Sequence, residues 1–132
     1  MIIDTSAIIE FLRGTGSSTH RAFARALQEE APLWMPAVVL QEVLQGARDA
    51  SHFIRLQVQL DQIPLFEPED PHELHRQAAL LYARCRWQGV TVRSPMDCVV
   101  AACALEAKMP LLACDRDFAE ICRIEPKLQL IS

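Results

Sequence analysis

Four carboxylates of this 132-residue chain stand where a merely solvated surface charge is not expected. Asp4 follows the apolar run Met1-Ile2-Ile3 and precedes two hydroxyls, Thr5 and Ser6. Glu42 lies inside Val38-Val39-Leu40-Gln41-Glu42-Val43-Leu44. Asp97 opens the most apolar helical stretch of the chain, and Asp115 follows Leu111-Leu112, with Asp117 two residues on. Carboxylates brought close together raise one another's pKa unless a cation balances them. An oxygen-only set, with no His or Cys, suits a hard divalent ion such as Mg²⁺ or Mn²⁺. Such an ion supports phosphoryl chemistry, because it activates water and neutralises charge on a phosphate.

Each acid also has a purely structural reading. Asp4 or Thr5 can cap the helix that follows. Ser94 and Asp97 make an S-x-x-D capping box, with Pro95 at the first helical position; there the cap and a functional role are compatible. Asp117 and Glu120 make a second box, D-x-x-E, and for Asp117 the cap is the preferred reading. Glu42 has no cap to make. It is either a half-exposed helix flank or a buried acid that needs a partner.

The elements around these residues are short and alternate. Met1–Ile3 reads as a buried strand that turns into a helix stopped by Gly14. Ser18 or Thr19 caps a second helix running to about Ala31. Pro32–Pro36 reads as a strand, Ala37–Gln45 as a helix stopped by Gly46, and His52–Gln62 as another helix. Ile63–Phe66 is a short strand that Pro64 places at an edge. A long helix covers His72–Gln88, and an apolar one Cys98–Ala107. Pro110–Cys114 is a buried strand, Phe118–Cys122 a short helix, and Leu128–Ile131 a closing strand. Helices interleaved with short apolar strands that do not alternate predict an α/β fold, with a parallel sheet covered on both faces. In such a sheet, residues at strand ends converge on one crevice.

Composition sets the outer bounds. A chain that is 51% hydrophobic and 23% charged, without repeat or linker, is expected to fold as one domain over residues 1–132. It has no run long enough to span a membrane, and no basic leader before its apolar start, so it is expected to be cytoplasmic. Five cysteines without a C-x-x-C pair read as reduced, mostly buried thiols. His72 and His75, one turn apart, read as surface residues of a helix, since no cysteine stands at zinc spacing. A net charge of −4 argues against a general electrostatic nucleic-acid binder, though not against an enzyme that meets RNA through a metal or a local basic patch. Eleven of the thirteen basic residues are Arg, the type that makes paired phosphate contacts.

Four segments in order, Ile2-Ile3-Asp4-Thr5-Ser6-Ala7-Ile8-Ile9, Val39-Leu40-Gln41-Glu42-Val43, Asp97-Cys98-Val99-Val100-Ala101-Ala102-Cys103-Ala104 and Leu112-Ala113-Cys114-Asp115-Arg116-Asp117-Phe118, resemble the PIN-domain ribonucleases. The likeness is greatest to the VapC toxins of toxin–antitoxin pairs and covers essentially the whole chain. It implies a three-layer α/β/α fold with a short central parallel sheet. It also implies an Mg²⁺- or Mn²⁺-dependent endoribonuclease. Carried over position by position, the metal site falls on Asp4, Glu42, Asp97 and Asp115, with Asp117 contributing in some members and Ser6 or Thr5 as a supporting hydroxyl. Arg93 and Arg116, with Arg86 behind them, are the candidate phosphate contacts. A cognate antitoxin and a homodimer are the partners implied, with Phe11-Leu12 and Leu56-Leu60 as faces that serve either a partner or the core. Ala113 departs from the pattern, because the family often carries Thr two residues before its last strand-end Asp.

Two other classes compete. A receiver-type signalling domain would want an acidic pair near the first strand and a late Lys, whereas Asp4 stands alone and Lys108 and Lys127 are badly placed. A catalytically silent PIN-like interaction module has only Ala113 in its favour. A haloacid-dehalogenase-like phosphatase would need a second Asp in Asp4-Thr5-Ser6.

Overall fold

The computed structural model describes all residues, 1–132. In chain order its elements are β1 (Ile2–Ile3), α1 (Thr5–Arg13), α2 (Ser18–Gln28), β2 (Met35–Pro36), α3 (Ala37–Gln45), α4 (Ala50–Leu60) and β3 (Leu65–Phe66). They continue with α5 (Pro71–Trp87), α6 (Pro95–Ala107), β4 (Leu111–Leu112), α7 (Arg116–Ile124) and β5 (Leu130–Ile131). The expected interleaving of strands and helices is present, with two helices after each of β1, β2 and β3.

All strand pairs are parallel. β1 pairs with β4, with Ile2 opposite Leu111 and Ile3 opposite Leu112, and β4 pairs with β5. β2 pairs with β3, and a parallel bridge from Ile2 to Trp34 joins that pair to β1. The bridge is carried by Trp34 N donating to Met1 O at 2.9 Å and Ile3 N donating to Trp34 O at 3.0 Å. The resulting order is β3-β2-β1-β4-β5. Chain order reverses between β1 and β4, and in open α/β sheets ligands bind outside the carboxyl ends of the strands at such a reversal.

Successive residues of a strand face opposite sides of the sheet. Ile2, Ile3, Leu111 and Leu112 are all 0% exposed, so helices cover both faces at the centre. Thirty buried apolar residues form one contiguous core. α6 is buried along most of its length and packs on α3, α5 and α7. Leu56 and Leu60 belong to this core, and Phe11 stacks on Phe23 at 4.6 Å, whereas Leu12 stays partly exposed. No helix is long and apolar enough to cross a membrane.

Several helix ends fall a residue or more from their expected places. Ser17, not Ser18 or Thr19, caps α2 by accepting from His20 N at 3.1 Å, and Thr19 is buried instead. α2 ends at Gln28, closed by Glu30 at φ +52°, with Ala31 N donating to Ala26 O. Asp49 caps α4 and Asp70 caps α5, so both start ahead of His52 and His72. The strands are shorter than the apolar runs containing them, two residues each. Cys85, Cys98 and Cys103 are buried thiols, Cys122 is half-buried, and Cys114 is exposed; none forms a disulfide. His72 and His75 are exposed on α5.

Candidate active site

The carboxyl end of β1 delivers Asp4 to the point where strand order reverses. Its amide donates to Leu112 O at 3.0 Å, which fixes it beside β4. Asp4 itself caps α1: its Oδ2 accepts from Ser6 N at 3.0 Å and from Ser6 Oγ at 2.5 Å. The same Ser6 hydroxyl oxygen accepts from Cys114 N at 2.9 Å, so one side chain ties the end of β1 to the end of β4. Thr5 does different work. Its hydroxyl donates to Glu42 Oε1 at 3.2 Å and so draws the half-buried Glu42 of α3 toward β1. The two hydroxyls both brace acids, and neither one is the helix cap.

Asp97 sits in the first turn of α6 with 8% exposure. The S-x-x-D box is absent, because Ser94 forms no side-chain cap to α6. Asp97 Oδ2 is buried and has no hydrogen-bond partner. Asp115 follows β4 and caps α7, with Oδ1 accepting from Asp117 N at 2.9 Å. The cap preferred for Asp117 therefore belongs to Asp115. Helix α7 begins two residues earlier than the D-x-x-E box requires, and this turns Asp117 inward to 4% exposure.

Asp97, Asp115 and Asp117 each place a carboxylate oxygen within 4.8 Å of the others'. Asp4 and Glu42 adjoin this trio closely enough to act through their charges. Burial, and then the charges of Asp4, Asp115, Asp117 and Glu42, push the Asp97 carboxyl up to about 7. Burial also raises Asp4, against its bonds to Ser6, and Asp115 raises it further. Glu42 is raised by burial and by Asp4, with the Thr5 bond opposing. All three shifts come first from burial and then from neighbouring negative charge.

One cation reaches the site. Arg93, in the turn before α6, donates from Nε to both Asp117 oxygens at 3.2 Å and from Nη2 to Asp115 Oδ1 at 3.3 Å. Its backbone N donates to Asp117 Oδ2 at 3.1 Å. Arg93 is thus engaged with acids rather than standing free. Arg116 is exposed and makes no ion pair, and Arg86 lines a separate small cavity with Tyr82 and Thr91. Ala113 is buried in the β4 run, and the hydroxyl acting at the end of that run comes from Ser6 instead.

The donor set fits a hard divalent cation. Every donor of the trio Asp97, Asp115 and Asp117 is a carboxylate oxygen, and their spacing is one that a single ion with oxygens at about 2.1–2.5 Å can span, whereas Asp4 and Glu42 stand outside that spacing. The partnerless Asp97 Oδ2 is a buried acceptor that a cation would satisfy. The pairing of Arg93 with Asp117 was not foreseen from sequence. Nor was a groove of about 920 Å³ between α1, α3 and α4, which Glu42 borders and Arg13, Arg48 and Arg55 line. None of these three arginines is in an ion pair, whereas Arg25, Arg76, Arg84, Arg93 and Arg123 all are.

Comparison with known proteins agrees with this geometry. The family model described as PIN domain matches residues 1–124. A VapC ribonuclease of Mycobacterium bovis is 36% identical over 125 residues, covering 94% of this chain and 92% of that protein. Ribonuclease VapC11 of Mycobacterium tuberculosis matches to the same extent. Among solved structures, VapBC-1 of nontypeable Haemophilus influenzae superposes with a TM-score of 0.77 at 18% identity, covering 99% of this chain and 96% of the other. VapBC2 of Rickettsia felis, bound to a DNA fragment from its promoter, gives 0.74 at 15% identity, with 98% and 96% covered. These structural likenesses bear on the fold, which is the three-layer arrangement implied by the sequence motifs.

Proposed function

The chain belongs to the PIN-domain family, and from that premise we propose that it is a divalent-metal-dependent endoribonuclease and the toxin of a toxin–antitoxin pair. The observation that carries the reading is the buried, partnerless Asp97 Oδ2 in a trio with Asp115 and Asp117, near the charges of Asp4 and Glu42, at the sheet's reversal point. Asp4, Asp97 and Asp115 would hold Mg²⁺ or Mn²⁺, Glu42 would bind it or orient the attacking water, and Asp117 would adjoin them. Bound there, the cation supplies activated water and charge neutralisation on the phosphodiester. Ser6 and Thr5 keep Asp4 and Glu42 aimed at the site. Attack by water, with no 2′-hydroxyl nucleophile, leaves a 5′-phosphate and a 3′-hydroxyl. The residues are proposed to act as one domain around their single core.

The relatives with VapBC names are complexes, which supports a cognate antitoxin here as well. The groove between α1, α3 and α4 fits an antitoxin segment with apolar side chains and acidic flanks. Its surface combines exposed Leu12, Ile54 and Val58 with the three unpaired arginines, and it leads to Glu42. A homodimer is proposed too, with exposed Leu80 and Trp87 of α5 as available apolar surface.

The test is incubation of pure protein with mixed RNA, with and without Mn²⁺, beside Asp4→Asn and Asp97→Asn. Cleavage that requires the ion and both carboxylates is expected. Cleavage that survives EDTA or either substitution would sink the metal mechanism. No cleavage with any divalent ion would favour an interaction module.

A further inference from the structure

The acids of the candidate site outnumber its cations, and the one cation present is held unevenly. Arg93 is anchored on Asp117 at two points, its backbone N and its Nε, and Asp117 is 6% exposed at its side chain. Its hold on Asp115 is a single 3.3 Å contact from Nη2, where the Arg93 side chain is 58% exposed and Asp115 33%. A guanidinium edge at that distance, open to water, contributes little and is easily displaced. The Asp117 end has more contacts, because one Nε–H is shared between both carboxylate oxygens and the Arg93 backbone N adds a second donor, and Asp117 itself is shielded from water. Asp97 completes the same trio, with its buried oxygen unpaired and no bond to Arg93. The guanidinium therefore covers two of the three carboxylates, and the third is left without compensation.

We propose that Arg93 is the site's internal countercharge, which holds Asp115 in the metal-free protein and yields it to a divalent cation while staying tethered to Asp117. The proposal rests on the metal reading above and goes beyond it in assigning this positively charged side chain a competitive role at the site. Two consequences follow from the charges alone. Removing the guanidinium exposes the acids to one another, which destabilises the metal-free fold. It also removes a positive charge beside the incoming ion, which strengthens ion binding. A purely structural Arg93 predicts the opposite sign for the second effect, because a loosened Asp115 and Asp117 would bind an ion less well.

Mn²⁺ binding to the full chain, followed by the loss of the free-ion electron paramagnetic resonance signal, separates these outcomes. Arg93→Gln is expected to bind Mn²⁺ about five- to tenfold more tightly than wild type, and to melt at a lower temperature in EDTA. Arg93→Lys, which keeps the charge without the fork, is expected to stay within about twofold of wild type in Mn²⁺ affinity. Unchanged or weaker binding by Arg93→Gln overturns the proposal and leaves the metal site standing. Failure of the wild type itself to bind Mn²⁺ overturns the metal reading and this one with it. A measurement on the wild type needs no variant to fold: saturating Mg²⁺ should shift the Arg93 Nε–H resonance, and a resonance unmoved by Mg²⁺ overturns the proposal.

Discussion

Asp97 is 8% exposed among four other acids, and its proton is held more tightly in the folded protein than in the unfolded chain. An unfolded Asp titrates near 3.9, whereas here the carboxyl is pushed up to about 7 by burial and like charge. Below about pH 4 both states carry the proton and Asp97 costs nothing. Between pH 4 and 7 the unfolded chain gives it up while the folded one keeps it, so stability falls as pH rises. Above about 7 both are ionised, and the cost levels off at roughly 2–4 kcal/mol. Urea unfolding in EDTA across this range should follow that curve, with Asp97→Asn more stable than wild type at pH 7.5 and lacking most of the slope. Parallel wild-type and Asp97→Asn curves would refute the assignment. Ser6 supports a second prediction. Its hydroxyl bonds both Asp4 and the Cys114 amide, so Ser6→Ala should cost about 1–3 kcal/mol in the same assay and lower RNA cleavage about 10- to 100-fold.

At the scale of the element, Asp115 does two jobs that substitution can separate. As the cap of α7 it needs only an acceptor for Asp117 N, and asparagine supplies one as well as aspartate does. As a proposed metal ligand it needs the charge. Asp115→Asn should therefore keep most of the thermal stability while abolishing Mn²⁺-dependent cleavage, and Asp115→Ala should lose about 1 kcal/mol in addition. An Asp115→Asn protein that cleaves normally would place Asp115 in the cap alone. This double duty is also why helix starts were hard to read in the sequence. Ser17, Ser18 and Thr19 are neighbouring cap types, as are Asp115 and Asp117, and propensity alone does not choose between them. For α7 the choice decides function, since starting at Arg116 is what turns Asp117 inward. The α/β pattern was legible because most helices carry an apolar stripe, α6 is apolar nearly all round, and each strand lies in an apolar run. The strand order was not, because a two-residue ladder leaves almost no register signal, and the Ile2–Trp34 bridge joining the two strand pairs has none.

For the whole molecule, the chain carries a net charge of −4 and brings five carboxylates together at one edge of its sheet. Asp4, Glu42, Asp97 and Asp115 were legible one at a time, as charges at strand ends or on apolar helices, and their convergence followed from the parallel fold, whereas Asp117 read as a cap. Arg93 was expected as a phosphate contact, and its pairing with the acids escaped because Asp117 is 24 residues away and meets it only across the turn into α6. The charge arrangement makes the fold's stability depend on its ligand. A cation that binds the folded site and not the unfolded chain adds stability in proportion to the logarithm of its concentration, about 2.7 kcal/mol at a hundred times its Kd. For a chain of this length that corresponds to a rise in melting temperature of roughly 10 °C. Differential scanning calorimetry in saturating Mn²⁺ should show a rise of that order over EDTA in the wild type. In Asp97→Asn, which lacks one of the acidic ligands, the rise should shrink to a few degrees, because the site binds the ion weakly. Equal rises in both proteins would mean that the ion stabilises the fold from somewhere other than the carboxylate cluster.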